Sequence, residues 1–298
     1  MTGSRGSSVD RVLVALDPAA PMAATLDALA GLVSDAQPEV KGLFIEDASL
    51  LALSSLSFVR EVALDTASEQ RMTAELLERQ MKAQRIRVER MLADASRRLS
   101  LRPSFKVARG IVLEELLREA EQADLILLGR SHRVAGPRSW MGIRLGGLAE
   151  KIAGTLAIVQ DAWSTGRSVS LVYDGSEAAT RCLGLARQIG AREGLSLVVA
   201  LVGDAEDRAH WQKRVGAVAP GIAEWHSLAA PVLSDLVAIA RNAQSRVIVL
   251  PGHLERQCSN LIEGLLRDLD CSVVIVGELR SGGDAIPANQ ELLTDDAR

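Results

Sequence analysis

Aromatic residues are scarce in this chain of 298 residues: four Trp, three Phe and one Tyr, 3% of the total. A platform for stacking single-stranded bases needs more of them. Basic charge is not in surplus either, with 34 Lys and Arg against 38 Asp and Glu and a net charge of -4. That balance gives no electrostatic footprint for nucleic acid, so no nucleic-acid partner is expected. The three cysteines (Cys182, Cys258, Cys271) form no CxxC pair, which argues against a disulfide framework and for a reducing, cytoplasmic setting. Four scattered histidines (His132, His210, His226, His253) show no HExxH or other ligand spacing, so no metal site is expected. GxGxxG and Walker A patterns are missing, which argues against a dinucleotide dehydrogenase or a P-loop NTPase. Long apolar runs are missing too. The run from Val12 to Leu16 is too short for a signal peptide, and Leu50 to Val59, ten residues with three serines, is too short to span a bilayer.

What is present is a large apolar fraction, 48%, arranged in short runs. At roughly 100–200 residues per domain, the length suggests two domains, and the chain repeats one plan twice. Arg11-Val12-Leu13-Val14-Ala15-Leu16-Asp17 is matched by Val169-Ser170-Leu171-Val172-Tyr173-Asp174, each an apolar run ending in aspartate. Each is followed by an amphipathic helix and a second apolar run, Lys41 to Ile45 and Leu195 to Val202. Helices at Leu113 to Ala120 and Val232 to Arg241 then precede the buried runs Ala123 to Gly129 and Ser245 to Gly252. A last helix and a last run close each half, Leu156 to Val159 and Ser272 to Val276. Continuous Val, Ile and Leu mark strands covered on both faces, and strand alternating with helix marks right-handed crossovers. The expectation is two α/β domains, 1–161 and 168–277, with a flexible tail over 278–298. The first carries a helical insertion at about 46–100. Within it, 67–99 reads as one long helix without Gly or Pro, either covering its own sheet or serving as a packing arm against the other domain or, in a homodimer, against another subunit.

In an open parallel sheet, ligands sit beyond the carboxyl ends of the strands. Those ends carry Asp17, Ile45 and Gly129 in the first half, and Asp174, Val202 and Gly252 in the second. An aspartate there either receives a ribose or amine, or caps the next helix. Leu145-Gly146-Gly147-Leu148 opens the last helix of the first half, with Arg130, Arg133, Arg138 and Arg144 nearby, a pattern suited to an anion. The second half has Cys258-Ser259-Asn260-Leu261 instead. His253 and Cys258, five residues apart, lack an orienting acid, so a solvated histidine and a small buried thiol are the better reading. Ser281-Gly282-Gly283-Asp284 lies in the tail, away from any first strand, and is read as chance.

Val172-Tyr173-Asp174-Gly175-Ser176-Glu177-Ala178-Ala179, and Leu127-Leu128-Gly129-Arg130-Ser131-His132-Arg133 with Leu145-Gly146-Gly147-Leu148-Ala149-Glu150-Lys151-Ile152, resemble the universal stress protein family in tandem form. The resemblance covers roughly 10–160 and 168–277. It implies two flavodoxin-like, doubly wound domains, each a five-stranded parallel sheet of order 3-2-1-4-5, often dimerised, here as an intramolecular pseudo-dimer. It also implies ATP as a cofactor in members carrying Gly-x2-Gly-x9-Gly-(Ser/Thr). This sequence departs from that pattern. His132 replaces the second glycine, Gly147 replaces the hydroxyl residue, and Ser259-Asn260 replaces the last pair in the second copy. The nucleotide candidates are Asp17, Ile45, Gly129, Gly146 and Gly147, with Asp174, Val202, Gly252, Ser259 and Asn260 as a vestigial second set. The leading expectation is a non-catalytic stress-response binding or regulatory protein with degenerate pockets. The alternative is an ATP-binding member using the first domain, with slow ATP hydrolysis. A third reading fills both pockets with side chains and places the activity in the helical arm.

Overall fold

The computed structural model describes residues 9–18, 20, 22–33, 38–54, 60–63, 68–71, 73–98, 101, 103–130, 143–160 and 165–278. Most of the expected tail, the linker at 161–164 and the arginine-bearing loop 131–142 lie outside them, as does Leu99.

The first half runs β1 (Arg11–Ala15), α1 (Met22–Leu32), β2 (Glu39–Asp47), α2 (Ala48–Ser54), β3 (Arg60–Ala63), β4 (Ser68–Arg71), α3 (Ala74–Arg98), β5 (Pro103–Gly110), α4 (Val112–Ala120), β6 (Leu125–Arg130), α5 (Leu145–Ala149) and β7 (Thr155–Gln160). The second runs β8 (Ser168–Tyr173), α6 (Glu177–Glu193), β9 (Ser196–Val202), α7 (Ala205–Val218), β10 (Ile222–Leu228), α8 (Leu233–Asn242), β11 (Ser245–Pro251), α9 (Leu254–Gln257), α10 (Leu261–Asp268) and β12 (Ser272–Val276).

Each half has strand order 3-2-1-4-5, and the two sheets fuse into one of ten strands, β10-β9-β8-β11-β12-β7-β6-β1-β2-β5. Within each half, all pairings of this ten-stranded sheet are parallel. The joint between halves is antiparallel, β7 on β12, with Ile158 opposite Val273 and Leu156 opposite Ile275. Both strands there are buried and apolar, so neither can stand as an open edge in water. Each face of the sheet then has one continuous core. Val12, Val14, Val88, Leu92, Leu171 and Val249 belong to one layer; Leu13, Leu116, Leu148, Ile248, Leu265 and Ile275 belong to the other. The alternation of Val12 and Val14 with Leu13 and Ala15 is the two-residue period of a strand covered on both sides. On the first face, α1 meets α6, where Gln188 Nε2 donates to the Leu32 carbonyl at 3.0 Å. On the second, α5 meets α10.

Two expectations for the insertion need correction. The helix does not begin at residue 67: β4 occupies Ser68–Arg71, pairs antiparallel with β3, and α3 starts at Ala74. Thr73 sets that start, its hydroxyl accepting from Leu76 N at 3.2 Å. Absence of Gly and Pro gave no stop signal, so the pattern overran the cap. The apolar stripe of α3 is also not left for a second copy. Leu77, Met81, Val88, Leu92 and Ala95 are buried as the helix packs on α1, β2 and β5 of its own half. Of the apolar stretch before it, α2 takes residues up to Ser54, and 55–59 lie outside the described residues. Among the described residues, no helix is long and apolar enough to cross a membrane.

Candidate functional site

Strands β2, β1 and β6 are neighbours, so their carboxyl ends bring Ile45, Asp17 and Gly129 to one edge of the first half. Leu16 N donates to the Leu43 carbonyl at 2.8 Å and Ala20 N to the Asp17 carbonyl at 3.0 Å, which turns the chain into α1. Ile45 is buried and registers opposite Ala108 of β5. Gly129 is bare because α1 lies on it: a Cβ there would come within 2.9 Å of Ala20 Cβ and would press on the Thr25 hydroxyl. Its glycine character is thus required by packing of the helix on the strand.

Gly146 and Gly147 open α5, where free backbone N–H groups attract an anion. An anion is already there. Gly146 N donates to Glu263 Oε1 at 2.9 Å, and Glu263 belongs to α10 of the other half. A Cβ on Gly146 would lie 2.7 Å from both Glu263 Oε2 and Glu255 Cδ, so the bare glycine admits two carboxyl groups from across the seam. Arg144 Nε stands 4.0 Å from Glu263, and the Arg144 guanidinium donates to Asn260 Oδ1. Gly147 faces open space. Beneath this, Arg130 is buried and donates to the Leu266 carbonyl of α10 at 2.7 Å. Burial holds its pKa below the ordinary arginine value, partly offset by the charge of Glu263. Gln160 at the end of β7 donates to the Cys271 carbonyl at 2.6 Å and the Leu269 carbonyl at 3.0 Å.

The second half fills its strand ends with its own side chains. Glu255 caps α10, accepting from Asn260 N at 2.9 Å and Ile262 N at 2.8 Å, with Asn260 in the left-handed region at φ +63°. Ser259 is exposed beside it. Asp174, after β8, accepts from Ser176 N at 3.1 Å and pairs with His253 Nε2 at 2.5 Å. Burial pushes the Asp174 carboxyl up, but the bonds from His253 and Ser176 prevail and hold it below the ordinary value. Trp211 of α7 lies on Gly175 and Gly203, the residues that follow β8 and β9; a Cβ at Gly203 would meet its Cζ3 at 2.7 Å. Tyr173 adds an edge contact, with ring centroids 6.2 Å apart at 73°. Val202 is buried, and Gly252 N donates to the Val276 carbonyl at 2.9 Å.

No family model matches the sequence, and no curated protein matches it. Solved structures do. A universal stress protein from Archaeoglobus fulgidus DSM 4304 superposes with a TM-score of 0.63 at 16% identity, over 90% of this chain and 98% of that one. A functionally unknown protein from Pseudomonas aeruginosa PAO1 gives 0.59 at 14% identity, over 92% of this chain and 94% of that one. The fold is that of a tandem universal stress protein.

Sequence reasoning named Asp17, Ile45, Gly129, Gly146 and Gly147 as candidates without naming the side chains that meet Gly129 and Gly146. Nothing in the sequence singled out Glu255 or Glu263, since only the antiparallel joint carries α10 to the start of α5. Arg130 was counted as one of several attractive charges, whereas it is buried and directed at α10. His253 turns to Asp174, the acid at the first strand end, a partner that its spacing from Cys258 did not suggest. Trp211 had one signal available: a rare aromatic in an otherwise polar helix.

Proposed function

We propose that this chain is a universal stress protein that works as a non-catalytic, cytoplasmic binding or regulatory module, its two nucleotide cradles occupied by its own side chains. One observation carries this reading: the α5 N–H that would receive a phosphate donates to Glu263 at 2.9 Å. A nucleotide phosphate brought there would have to displace a buried carboxylate and meet its repulsion. In the second half, Trp211 over Gly175 and Gly203, and His253 on Asp174, support the same conclusion. The antiparallel β7–β12 joint supports the two halves acting as an intramolecular pseudo-dimer. Their relative packing is then the property that a partner or signal reads.

Calorimetric titration of the full-length chain with ATP, paired with a thermal-shift measurement, tests this. The expected outcome is no saturable heat and no shift in melting temperature. Saturable binding that disappears in Gly147→Glu, an exposed position with room for the side chain, overturns the proposal and establishes the ATP-binding alternative in the first half.

A further inference from the structure

We propose that Glu255 and Glu263 form a proton-binding site at the seam, sharing one proton while the two halves are locked together. This site goes beyond the functional reading above and does not depend on whether a nucleotide binds. Both residues are buried, 5% and 6% exposed. The two oxygens of Glu255 each accept a backbone N–H, from Asn260 and Ile262. Glu263 Oε1 accepts from Gly146, but Glu263 Oε2 is buried with no hydrogen-bond partner. The two carboxyl groups face one another across the bare Cα of Gly146.

Two carboxylates in such a place repel each other strongly in a medium that screens poorly. One proton held between them removes that repulsion and gives the orphaned Oε2 a hydrogen-bond partner in the facing Glu255 carboxyl. The surrounding charge fits a pair carrying one negative charge. Arg144, before α5, and Arg130, at the end of β6, present positive charge to Glu263. Glu150, just after α5, adds negative charge at Glu255 and opposes a second ionisation. Burial pushes the Glu255 carboxyl above the ordinary range, the Ile262 N–H lowers it, and Glu263 raises it again. A carboxyl raised in the folded state stabilises fully below the ordinary carboxylate range, and that stability is lost as pH rises through the folded value. The seam therefore loosens as pH rises from the ordinary glutamate range to the raised value.

Carbon-13 carboxyl titration of the full-length chain, with Glu255 and Glu263 assigned through bonds, reads the site directly. One step of the pair is expected above the ordinary glutamate range. In Glu263→Gln, whose amide supplies a neutral acceptor and donor, Glu255 titrates alone and its step moves down, keeping only the rise that burial gives it. Denaturation measured across the same pH range is the second readout. The wild-type unfolding constant is expected to rise by up to about tenfold per pH unit between the ordinary glutamate range and the raised step and to level off above it, and that of Glu263→Gln to rise over a narrower range. Both carboxyls titrating at or below the ordinary range in the wild type, or identical pH dependence of unfolding in the two proteins, would overturn the proposal. If Glu263→Gln does not fold, the wild-type titration alone decides.

Discussion

Between their second and third strands, the two halves place helices that serve different ends. In the first half it is the 25-residue α3; in the second it is the 14-residue α7. The longer helix lays Leu77, Met81, Val88, Leu92 and Ala95 against its own half and leaves no apolar stripe over. The shorter one buries only Val215 among its described residues, and a groove of about 570 Å³ remains beside it, lined in part by Gly184, Ala191, Leu195, Ala219 and Pro220. In compensation α7 carries Trp211 onto Gly175 and Gly203, at the strand ends. A helix long enough to cover the sheet face closes a core, whereas a short helix near the strand ends closes a pocket. The same strand order thus supports two ways of filling a domain.

The largest expected effect tests the covering role of α3. Leu92 is 2% exposed, with its side chain against the Cα of Gly42. Truncating it leaves a cavity in a layer shared by both halves, so Leu92→Ala should cost about 2–5 kcal/mol. Val215→Ala in α7 should cost less, since fewer atoms are removed and the helix around it is mostly exposed. Urea denaturation of both variants checks this. An equal or greater loss at Val215 would break the distinction between the helices.

A smaller effect sharpens the contrast at the strand ends, where Asp174 and Glu255 are shifted in opposite directions. Asp174 is depressed in the folded state, so it stabilises above its unfolded value and that stability is lost as pH falls through the folded value. The window lies at and below the ordinary aspartate range, whereas that of Glu255 runs upward from the ordinary glutamate range to its raised value. Replacing His253 by Gln removes one strong bond to the carboxylate, and hydrogen bonds to charged groups contribute about 1.5–3 kcal/mol. His253→Gln should therefore lower stability at neutral pH and flatten the acid limb. An acid limb as steep as in the wild type would show that other carboxylates set it.

The sheet was legible because its strands are continuous apolar runs ending at Asp17, Gly129, Asp174 and Gly252, and because the plan repeats. The antiparallel joint was not legible: β7 and β12 look like any other buried strands, and nothing local in Thr155–Gln160 specifies its neighbour. Everything missed at the site follows from that joint or from tertiary placement. Glu263 reaches Gly146 only through it, Arg130 reaches Leu266 only through it, and Trp211 reaches Gly175 only through the course of α7. The start of α3 was misplaced for a local reason, because Thr73 caps a helix inside a stretch whose composition offers no break.

The smallest expected effect concerns the outward face of α3, where a second copy would have to dock if this helix were an intermolecular arm. Ile86 is the large apolar residue most exposed on that face, at 36%, and Lys82 and Arg90 flank it one turn away on either side. A single apolar residue among charges is an ordinary solvated surface. Ile86→Glu places a carboxylate at i,i+4 spacing from both cations, a pairing that contributes only a few tenths of a kcal/mol. Stability should therefore change by less than about 0.5 kcal/mol, and the mass measured by light scattering should match that of the wild type at every concentration. A wild-type dimer that dissociates in Ile86→Glu would restore the arm reading and show that α3 uses both faces, one for its own sheet and one for another chain.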